Sequence, residues 1–387
     1  MRILMIAPQP FLEPRGAPFC VYQHIKALVA HGYKVDLVTY PFGKDIDLPD
    51  LRIYRAPSVP FIHGVKPGFS LAKFPLDLLV FLTALWRLCR RRYRYLHTHE
   101  EAALMGILLA TIFGCKHLYY MHCDLSQLMS ENTLIKRCIT AAQTLMVRCA
   151  DAVIAFYPEI TSTARRMAPG QHVYTLLPPA VDEELPPVCE ADVRRLRQLL
   201  APGPGPVLLY TGTLESYQGL DLLLRSVGTV CATFPEAHYV IVGGKLSQVM
   251  QLQQLAHKLG VEDNIRCVEQ RPLEEMPYYM ALADVLLSPR SKGTHVPLKL
   301  YTYLRSGKAI LATDILSHTQ ILTPALALLV PPTPEGLAQG ALELLQNPER
   351  AQILGSNGQH FASEHYSWPV FLEKSRQIYQ EFMSLTR

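Results

Sequence analysis

The chain has 387 residues, of which 49% are hydrophobic and 18% are charged, and its formal net charge is +4. This length exceeds what one hydrophobic core usually organises, so we expect two domains, and the composition excludes a disordered or fibrous protein. The small charge, with no arginine/aromatic stacking pattern, excludes nucleic-acid binding, and nine cysteines without C-x-x-C spacing exclude a disulfide framework and a structural zinc site.

The first half of the chain alternates short apolar runs with helical patterns. Residues 3–7, 35–39, 118–122 and 152–155 are predicted strands, and residues 21–32 are a predicted helix. This alternation is typical of βαβ units in a parallel sheet.

Residues 76–94 combine an apolar helical run with a group of arginines. Trp86 lies within this segment, and the arginines are Arg87, Arg90, Arg91, Arg92 and Arg94. The pattern is typical of a helix that lies at a membrane interface. It equally fits a core helix whose C-terminal cations complement the helix dipole. Both interpretations stay open at the level of sequence.

The alternation of strands and helices restarts after residue 206. Predicted strands lie at 207–211, 239–242, 265–268, 285–288 and 310–312. A second parallel sheet is therefore expected, and with it a second doubly wound domain.

A proline-rich segment separates the two predicted sheets. It contains Pro178, Pro179, Pro186, Pro187, Pro202, Pro204 and Pro206. This density of proline forbids a continuous helix or central strand. We predict an N-terminal Rossmann-like domain at 1–185, a linker at 186–205, a C-terminal Rossmann-like domain at 206–365 and an amphipathic helix at 366–387.

Five loops at predicted strand ends carry glycine, proline or basic residues. They lie at 14–18, 210–214, 242–244, 288–295 and 297–299. In open parallel sheets, ligands lie at the carboxyl ends of strands, where loops and helix N-termini offer N–H groups to phosphates. Each loop alone is also compatible with an ordinary tight turn. Their order along the chain is what indicates a phosphate-binding protein.

The second half carries its motifs in a fixed order. They are VLLYTGTL at 207–214, QGLDLLL at 218–224, YVIVGG at 239–244, MPYYMALADVLLSP at 276–289 and PLKLYTYLRSGKAILAT at 297–313. The first half adds a loop at Gly16, GYKV at 32–35, HTH at 97–99 and MH at 121–122. Together these blocks resemble the retaining family-4 glycosyltransferases of GT-B fold. The resemblance extends over nearly the whole chain.

The resemblance implies an α/β protein of GT-B architecture, in which two doubly wound Rossmann-like domains face a cleft. The acceptor would lie on the first domain and the nucleotide on the second, and the C-terminal helix would cross back to the first domain. The residues that the resemblance places at the nucleotide sugar lie in the loops at strand ends, and they are Gly16, Gly212, Thr213, Gly243, Gly244, Arg271, Pro272, Arg290, Gly293, Thr294, His295, Lys299 and Leu300.

Individual roles follow from the same resemblance. Gly212 and Thr213 would lie at the donor diphosphate. Arg271 and Pro272 would face the base through their backbone groups, and the loop at 293–296 would cap the sugar and the phosphates.

The chain departs from the family pattern at its charged positions. The cations that are common at Thr213 and Gln218 are absent, and threonines stand at 294 and 302 where the family has paired glutamates. A hydroxyl accepts hydrogen bonds from ribose more weakly than a carboxylate does. We expect Arg290, Lys292 and Lys299 to supply the missing positive charge, with solvated surface charges as the alternative.

His122 ends the apolar run at 118–121, at the edge where a buried strand emerges. We predict that it is a catalytic residue, matching the family's N-terminal histidine, with a satisfied strand-end histidine as the alternative. His97 is expected to be structural, and His99 a weaker candidate. Neither the Asp45-Ile46-Asp47 string nor this histidine group has convincing metal-ligand spacing, so we expect no metal and no other cofactor.

The sequence thus predicts metal-independent, retaining transfer of a hexosyl unit from a nucleoside diphosphate sugar to an acceptor hydroxyl on a glycan, a lipid or a lipid carrier in cell-envelope biosynthesis. A sugar-nucleotide epimerase and a non-catalytic binding subunit remain the alternatives. The opening run ends at Pro8 and is too short for a signal peptide, and no apolar run is long enough to span a bilayer. We expect a cytoplasmic protein that contacts an anionic inner membrane face peripherally.

Overall fold

A computed structural model describes residues 1–12, 16–65, 70, 72–128, 133–180 and 188–385. The chain divides into two compact units. Unit 1 comprises residues 1–178 together with 369–387, and unit 2 comprises residues 179–368. The predicted linker at 186–205 begins with two residues outside the described part, and its remainder contains a helix.

Unit 1 is built on a parallel sheet whose strands, in chain order, are β1 Arg2–Ala7, β2 Lys34–Thr39, β3 Leu51–Arg55, β4 Tyr95–His99, β5 Lys116–Met121, β6 Ala152–Ala155 and β7 Val173–Thr175. Their spatial order is β3-β2-β1-β4-β5-β6-β7. The order reverses between β1 and β4, which are hydrogen-bonded neighbours. Such a reversal is the point where open parallel sheets bind ligands.

The helices of unit 1 are α1 Gly16–Ala30, α2 Lys73–Arg90, α3 Ala102–Phe113, α4 Thr133–Cys149, α5 Pro158–Met167 and, from the far end of the chain, α14 Trp368–Ser384. Parallel connections are right-handed, so α2, α3, α4 and α5, each of which leads from one strand to another nearer to β7, form one layer on one face of the sheet. Helix α1 connects β1 to β2, which lies on the opposite side of β1 from β4, so α1 packs on the other face of the sheet. Tyr379 of α14 is buried there beside His24 of α1.

The second sheet consists of β8 Val207–Thr211, β9 His238–Val242, β10 Ile265–Val268, β11 Val285–Ser288, β12 Ala309–Thr313 and β13 Leu328–Val330. Their spatial order is β10-β9-β8-β11-β12-β13. Residues 207–211, 238–242 and 309–313 are buried on both faces of the sheet, which explains their continuous apolar sequence. The order reverses between β8 and β11.

The helices of unit 2 are α6 Glu190–Leu200, α7 Leu220–Cys231, α8 Leu246–Leu259, α9 Met276–Leu282, α10 Lys299–Arg305, α11 Leu316–Thr319, α12 Pro334–Gln346 and α13 Pro348–His365. They cover the sheet and close an apolar core around residues such as Leu208, Tyr239 and Leu311. The predicted α/β class and the two doubly wound sheets are confirmed.

Candidate functional site

The candidate site of unit 2 lies at the carboxyl edge of its sheet, where β8 and β11 are neighbours. The loop after β8 begins at Gly212, and the loop after β11 runs from Pro289 to the start of α10. Because the strand order reverses here, the two loops diverge and leave room for a ligand. Six of the thirteen residues that the sequence assigned to the nucleotide sugar lie in these two loops, and Lys299 begins the helix that follows.

Glycines allow the loops after β8 and β9 to touch. A Cβ atom on Gly243 would lie 1.8 Å from the carbonyl oxygen of Gly212, and the φ angles of the two residues are 140° and 138°. The Gly212 N–H donates to the Val242 carbonyl at 3.0 Å. Only glycine combines this conformation with this close approach. Any side chain at position 243 must therefore displace the Gly212 loop.

Lys299 is the first residue of α10 and places its ammonium group at this edge. The Nζ atom is buried and lies 3.8 Å from the centre of the Tyr210 ring and 5.6 Å from that of Tyr303. Within the described residues, Nζ has no hydrogen-bond partner. Burial, together with the nearby Arg290 guanidinium, lowers the pKa of Lys299 well below its usual range. A buried cation without a counter-charge is suited to an anion that arrives from outside.

Arg290 lies in the loop after β11 and is almost fully buried. Its Nη1 donates to the His295 carbonyl at 2.6 Å, and its guanidinium lies 5.0 Å from the centre of the Tyr217 ring. Gly293 stands beside it, because a Cβ atom there would lie 3.5 Å from the same Nη1. The loop thus closes on the arginine. Its backbone is held in turn by Thr313, whose hydroxyl donates to the Arg290 carbonyl at 2.5 Å.

Three further predicted residues join this group through their backbones. The Thr213 carbonyl accepts from the Tyr210 hydroxyl at 2.6 Å, the Gly244 carbonyl accepts from the Gln270 N–H at 3.1 Å, and the Thr294 carbonyl accepts from Gln320 Nε2 at 2.6 Å. These bonds fix the backbone of the loops and satisfy the three carbonyl groups.

Other predicted residues lie outside this arrangement. Arg271, beside the exposed Pro272, forms an exposed ion pair with Glu275 at 2.9 Å. Lys292 is exposed, and the Leu300 side chain is completely buried in the core. Gly16 belongs to unit 1, where it begins α1. The neighbouring residues 14 and 15 of that predicted loop lie outside the described residues.

Sequence reasoning missed the aromatic and polar side chains that support the two cations. Tyr210 and Tyr303 lie beneath Lys299, and Tyr217 faces Arg290. His318 is buried and bonds Ser288 at 2.9 Å, on the strand that leads to Arg290. The only available signal was the presence of tyrosines beside the glycine loops, where their apolar character also fits a core.

In unit 1, His122 directly follows β5 and is 7% exposed. Its Nε2 lies 2.9 Å from Nδ1 of His99, and its ring stacks on Phe156. Burial lowers the pKa of His122 to about 3, so the imidazole is neutral at physiological pH. The hydrogen bond to His99 fixes which nitrogen carries the proton. His97, which stacks on His99, is buried and bonded to Tyr379, consistent with a structural role.

Glu100 adds a titratable group beside His122. Its φ of 52° is unusual for a residue with a side chain, and its carboxyl lies 3.7 Å from the Cys123 sulfur. Burial raises the pKa of this carboxyl to about 8. Glu100 can therefore exchange a proton near neutral pH.

Neither metal-like pattern of the sequence forms a cluster of ligands. Asp45 instead accepts a hydrogen bond from Arg55. In the described part of the chain, no three His, Cys, Asp or Glu side chains are grouped so that they could hold a metal ion. None of the described helices combines the length and the apolar character needed to cross a bilayer.

Two family descriptions match this chain. Residues 15–180 match the Glycosyl transferase 4-like domain, and residues 194–361 match the Glycosyl transferases group 1 family. The first match falls in unit 1 except for its last two residues, and the second falls in unit 2.

Named relatives and solved structures agree with these matches. The GDP-mannose-dependent alpha-(1-6)-phosphatidylinositol monomannoside mannosyltransferase of Mycolicibacterium smegmatis is 29% identical over 202 residues, which are 50% of this chain and 52% of that protein. The chain spans about half the length of the curated relatives that it matches. The structure of sucrose-phosphate synthase from Thermosynechococcus elongatus matches with a TM-score of 0.83, 21% identity and complete coverage of both chains. The structure of Anabaena HepE in complex with UDP matches with a TM-score of 0.76, 18% identity and the same coverage.

Proposed function

Because the chain belongs to the family-4 glycosyltransferases of GT-B fold, we propose that it transfers a hexosyl unit from a nucleoside diphosphate sugar to an acceptor hydroxyl. The observation that carries this proposal is the buried ammonium of Lys299 beside Arg290, at the carboxyl edge of the second sheet. The diphosphate would supply a counter-charge to the Lys299 ammonium, which has no hydrogen-bond partner within the described residues, and Arg290 would add a second cation beside it.

The reaction would place negative charge on the leaving nucleotide. As the bond between the anomeric carbon and the diphosphate oxygen breaks, Arg290 and Lys299 stabilise the charge that develops on that oxygen. The acceptor oxygen forms its new bond on the same face of the sugar, and its proton passes to the leaving phosphate. This retaining course needs no metal and no pair of carboxylates of the glycosidase kind.

His122 would assist this step as a neutral hydrogen-bond donor that positions the reacting sugar. If His99 donates from Nδ1 to His122 Nε2, the His122 proton lies on Nδ1 and is available to the substrate. We predict that His122→Ala lowers turnover by about 10²–10³-fold and leaves nucleotide affinity unchanged. Near-normal turnover would contradict this role. So would a loss of activity that accompanies a drop of several degrees in Tm.

The acceptor hydroxyl would belong to a glycan, a lipid or a lipid-linked carrier. The mycobacterial relative is named for action on a phosphatidylinositol monomannoside, and this name supports an acceptor that is a lipid. The four arginines at 90–92 and 94 are exposed at the end of α2 and would attract an anionic surface. A cytoplasmic enzyme that contacts the inner membrane face would meet such an acceptor.

A thermal-shift screen against UDP-, GDP- and ADP-sugars tests the donor. A nucleotide sugar that binds only the native state raises the free energy of unfolding, by about 2.7 kcal/mol at one hundred times its Kd. We expect one nucleotide class to raise Tm clearly above the others. If none does at millimolar concentration, the proposed donor site is wrong.

A non-catalytic, sugar-nucleotide-binding subunit remains a second candidate because of one observation. Thr302 lies in α10, one turn after Lys299, where the family pattern has a glutamate, and it is 8% exposed. A threonine accepts hydrogen bonds from ribose more weakly than a carboxylate does. Hydrolysis of the bound donor in the absence of acceptor distinguishes the two candidates, since a binding subunit leaves the donor intact.

A further inference from the structure

Helix α3 is apolar on every side and carries no charged residue along its twelve positions. Its inner face, which includes Ala103 and Leu109, is buried against the sheet of unit 1. Its outer face exposes Leu104, Leu108 and Ile112, which are 42%, 50% and 61% accessible. A helix that is apolar all round is normally covered on all sides. The outer stripe is therefore a surface that another apolar phase can cover.

The neighbouring helix α2 extends this stripe. One face buries Leu76, Val80, Ala84 and Leu88, each one turn after the last. The opposite face exposes a second series at the same spacing, formed by Phe74, Leu78, Leu82 and Trp86. One face of α2 therefore belongs to the core, as one sequence-based interpretation expects, and the opposite face stays exposed, so the membrane interpretation remains a prediction.

Helix α4 packs against α3 on the side opposite to α2. It exposes Leu134, Ile135 and Leu145, together with the cations Lys136, Arg137 and Arg148. The α2 and α3 helices contact each other, as do α3 and α4. The exposed apolar side chains of all three helices therefore form one patch on the outer surface of a single helical layer. Patches of this kind usually mark an interaction surface.

The charged residues of α2, α3 and α4 indicate the kind of surface that this patch would bind. Helices α2, α3 and α4 contain one acidic residue, Asp77, and its carboxylate accepts a hydrogen bond from Tyr40 at 2.6 Å. Four of their basic residues are exposed, namely Arg90, Lys136, Arg137 and Arg148. Arg91, Arg92 and Arg94 follow α2 and are also exposed. Within the described residues of these three helices no carboxylate is exposed, and an apolar patch edged by cations complements an anionic lipid surface.

We propose that this three-helix face inserts its apolar side chains into the interface of an anionic bilayer, with α3 at its centre. Insertion goes beyond the electrostatic attraction of the arginines, because the contact then has an apolar component that salt does not screen. This inference rests on the membrane contact of the proposed function but is independent of catalysis. Donor binding and vesicle binding are separate measurements.

The test is co-sedimentation of the full chain with vesicles of phosphatidylcholine, with and without phosphatidylglycerol, at low and high salt. We expect binding to the mixed vesicles to weaken as salt rises and a residual fraction to persist. Replacing Leu108 and Ile112 by Gln should remove that residual fraction and weaken binding by roughly tenfold for each side chain. The matched control replaces Leu246 and Met250 of α8, which are similarly exposed, and should bind as wild type.

Two further measurements separate insertion from its alternatives. Replacing Arg90, Arg91 and Arg92 by Gln should lower binding at low salt by about fivefold per arginine and leave the salt-resistant fraction. Trp86 is 45% exposed on the same face, so brominated lipids should quench its fluorescence, and Trp86→Phe assigns the signal.

Three results would overturn the proposal. One is equal sedimentation of the α3 variant and the α8 control. Another is vesicle binding without quenching of Trp86. The third is a wild-type dimer in light scattering that dissociates in the α3 variant while neither protein binds vesicles, which would make a second copy the partner. Thermal shifts with nucleotide sugars should be the same for wild type and the α3 variant, so failure of the vesicle experiment leaves the proposed donor binding and sugar transfer intact.

Discussion

At the scale of single residues, the buried ammonium of Lys299 lowers the free energy of unfolding. In the part of the chain that the structure describes, its ammonium is buried and has no hydrogen-bond partner, and its lowered pKa means that folding disfavours the charged form. For a basic group whose pKa falls on folding, the associated loss of stability is complete below the folded pKa. It diminishes as pH rises toward the unfolded value.

We therefore predict opposite effects of Lys299→Met on stability and binding. The variant should unfold at a higher urea concentration than wild type near neutral pH and should bind the nucleoside diphosphate about 1.5–3 kcal/mol more weakly. Lys292→Met is the matched control, because Lys292 is exposed in the preceding loop, and it should change neither quantity by more than about 0.5 kcal/mol. Unchanged affinity in Lys299→Met would mean that this ammonium does not face the phosphates.

Glu100 gives a second pH-dependent prediction, because folding raises the pKa of its carboxyl whereas it lowers the pKa of Lys299. The pKa of its carboxyl is raised to about 8 in the folded state, so native Glu100 holds a proton that the unfolded chain releases. Its contribution to stability is fully present below the unfolded pKa and is lost as pH rises through the folded pKa. The slope reaches about 1.4 kcal/mol per pH unit in that window.

Glu100→Gln keeps the neutral form at every pH. The free energy of unfolding of this variant, relative to wild type, should rise between about pH 5 and pH 8 and level off above that range. Urea titrations at several pH values measure the difference. The exposed Glu274→Gln serves as control, and its difference from wild type should stay flat. A flat difference for Glu100→Gln would show that its carboxyl is solvated in the native state.

At the scale of secondary-structure elements, apolar runs predicted nine of the thirteen strands in the described residues, and the four that were missed are short or carry polar side chains. Strands such as 207–211 and 239–242 were found as runs of apolar residues. Strand β4 was missed because its sequence YLHTH carries two histidines and a threonine, all of them buried. Their burial depends on partners that lie far away in sequence, such as Tyr379 for His97.

The candidate site likewise has features that the sequence predicts and features that it does not. Glycine loops at strand ends can be predicted from sequence, because turns and close approaches require particular residues at fixed positions. The proximity of Lys299 to Tyr210 and Arg290 depends on the spatial order of strands, which local patterns do not encode. For Arg87 the sequence pattern indicated a surface position, which is wrong. It was grouped with the surface arginines, but it is half-buried and paired with Asp36 at 3.3 Å.

Helix α14 offers a prediction about how elements are joined. The Tyr379 hydroxyl lies 2.8 Å from His24 Nε2 and 2.8 Å from His97 Nδ1, so it links this helix to α1 and β4. Tyr379→Phe would leave two buried ring nitrogens without these partners, at a cost of about 2–4 kcal/mol in the free energy of unfolding.

Tyr33→Phe is the matched control for this measurement. Its hydroxyl donates to the Met383 sulfur of α14 at 3.6 Å, and because sulfur is a weak acceptor, urea unfolding should show a loss below about 1 kcal/mol. Equal losses in the two variants would mean that the hydroxyl of Tyr379 contributes no more than an ordinary surface contact.

At the scale of the whole molecule, the division into units predicts that residues 179–368 alone bind the nucleotide. A fragment that begins near residue 203, at the end of the sequence-predicted linker, would lose α6, which packs on α9. Calorimetric titration should give the fragment 179–368 the affinity of the full chain, and the fragment with Lys299→Met a weaker one. A folded fragment that binds no nucleotide would place the donor site in unit 1.

The discontinuity of unit 1 has a consequence for biosynthesis. Its sheet and first five helices leave the ribosome before the 190 residues of unit 2, and α14 follows only afterwards. At a synthesis rate of about 5–20 residues per second, roughly 10–40 s pass between the synthesis of the sheet and that of its last helix. Throughout that interval His24 and His97 lack Tyr379, and the apolar surface that Phe382 later covers is open to solvent. The unit that is synthesised first is therefore the last to be completed, and it is the one whose nascent form chaperones should recognise.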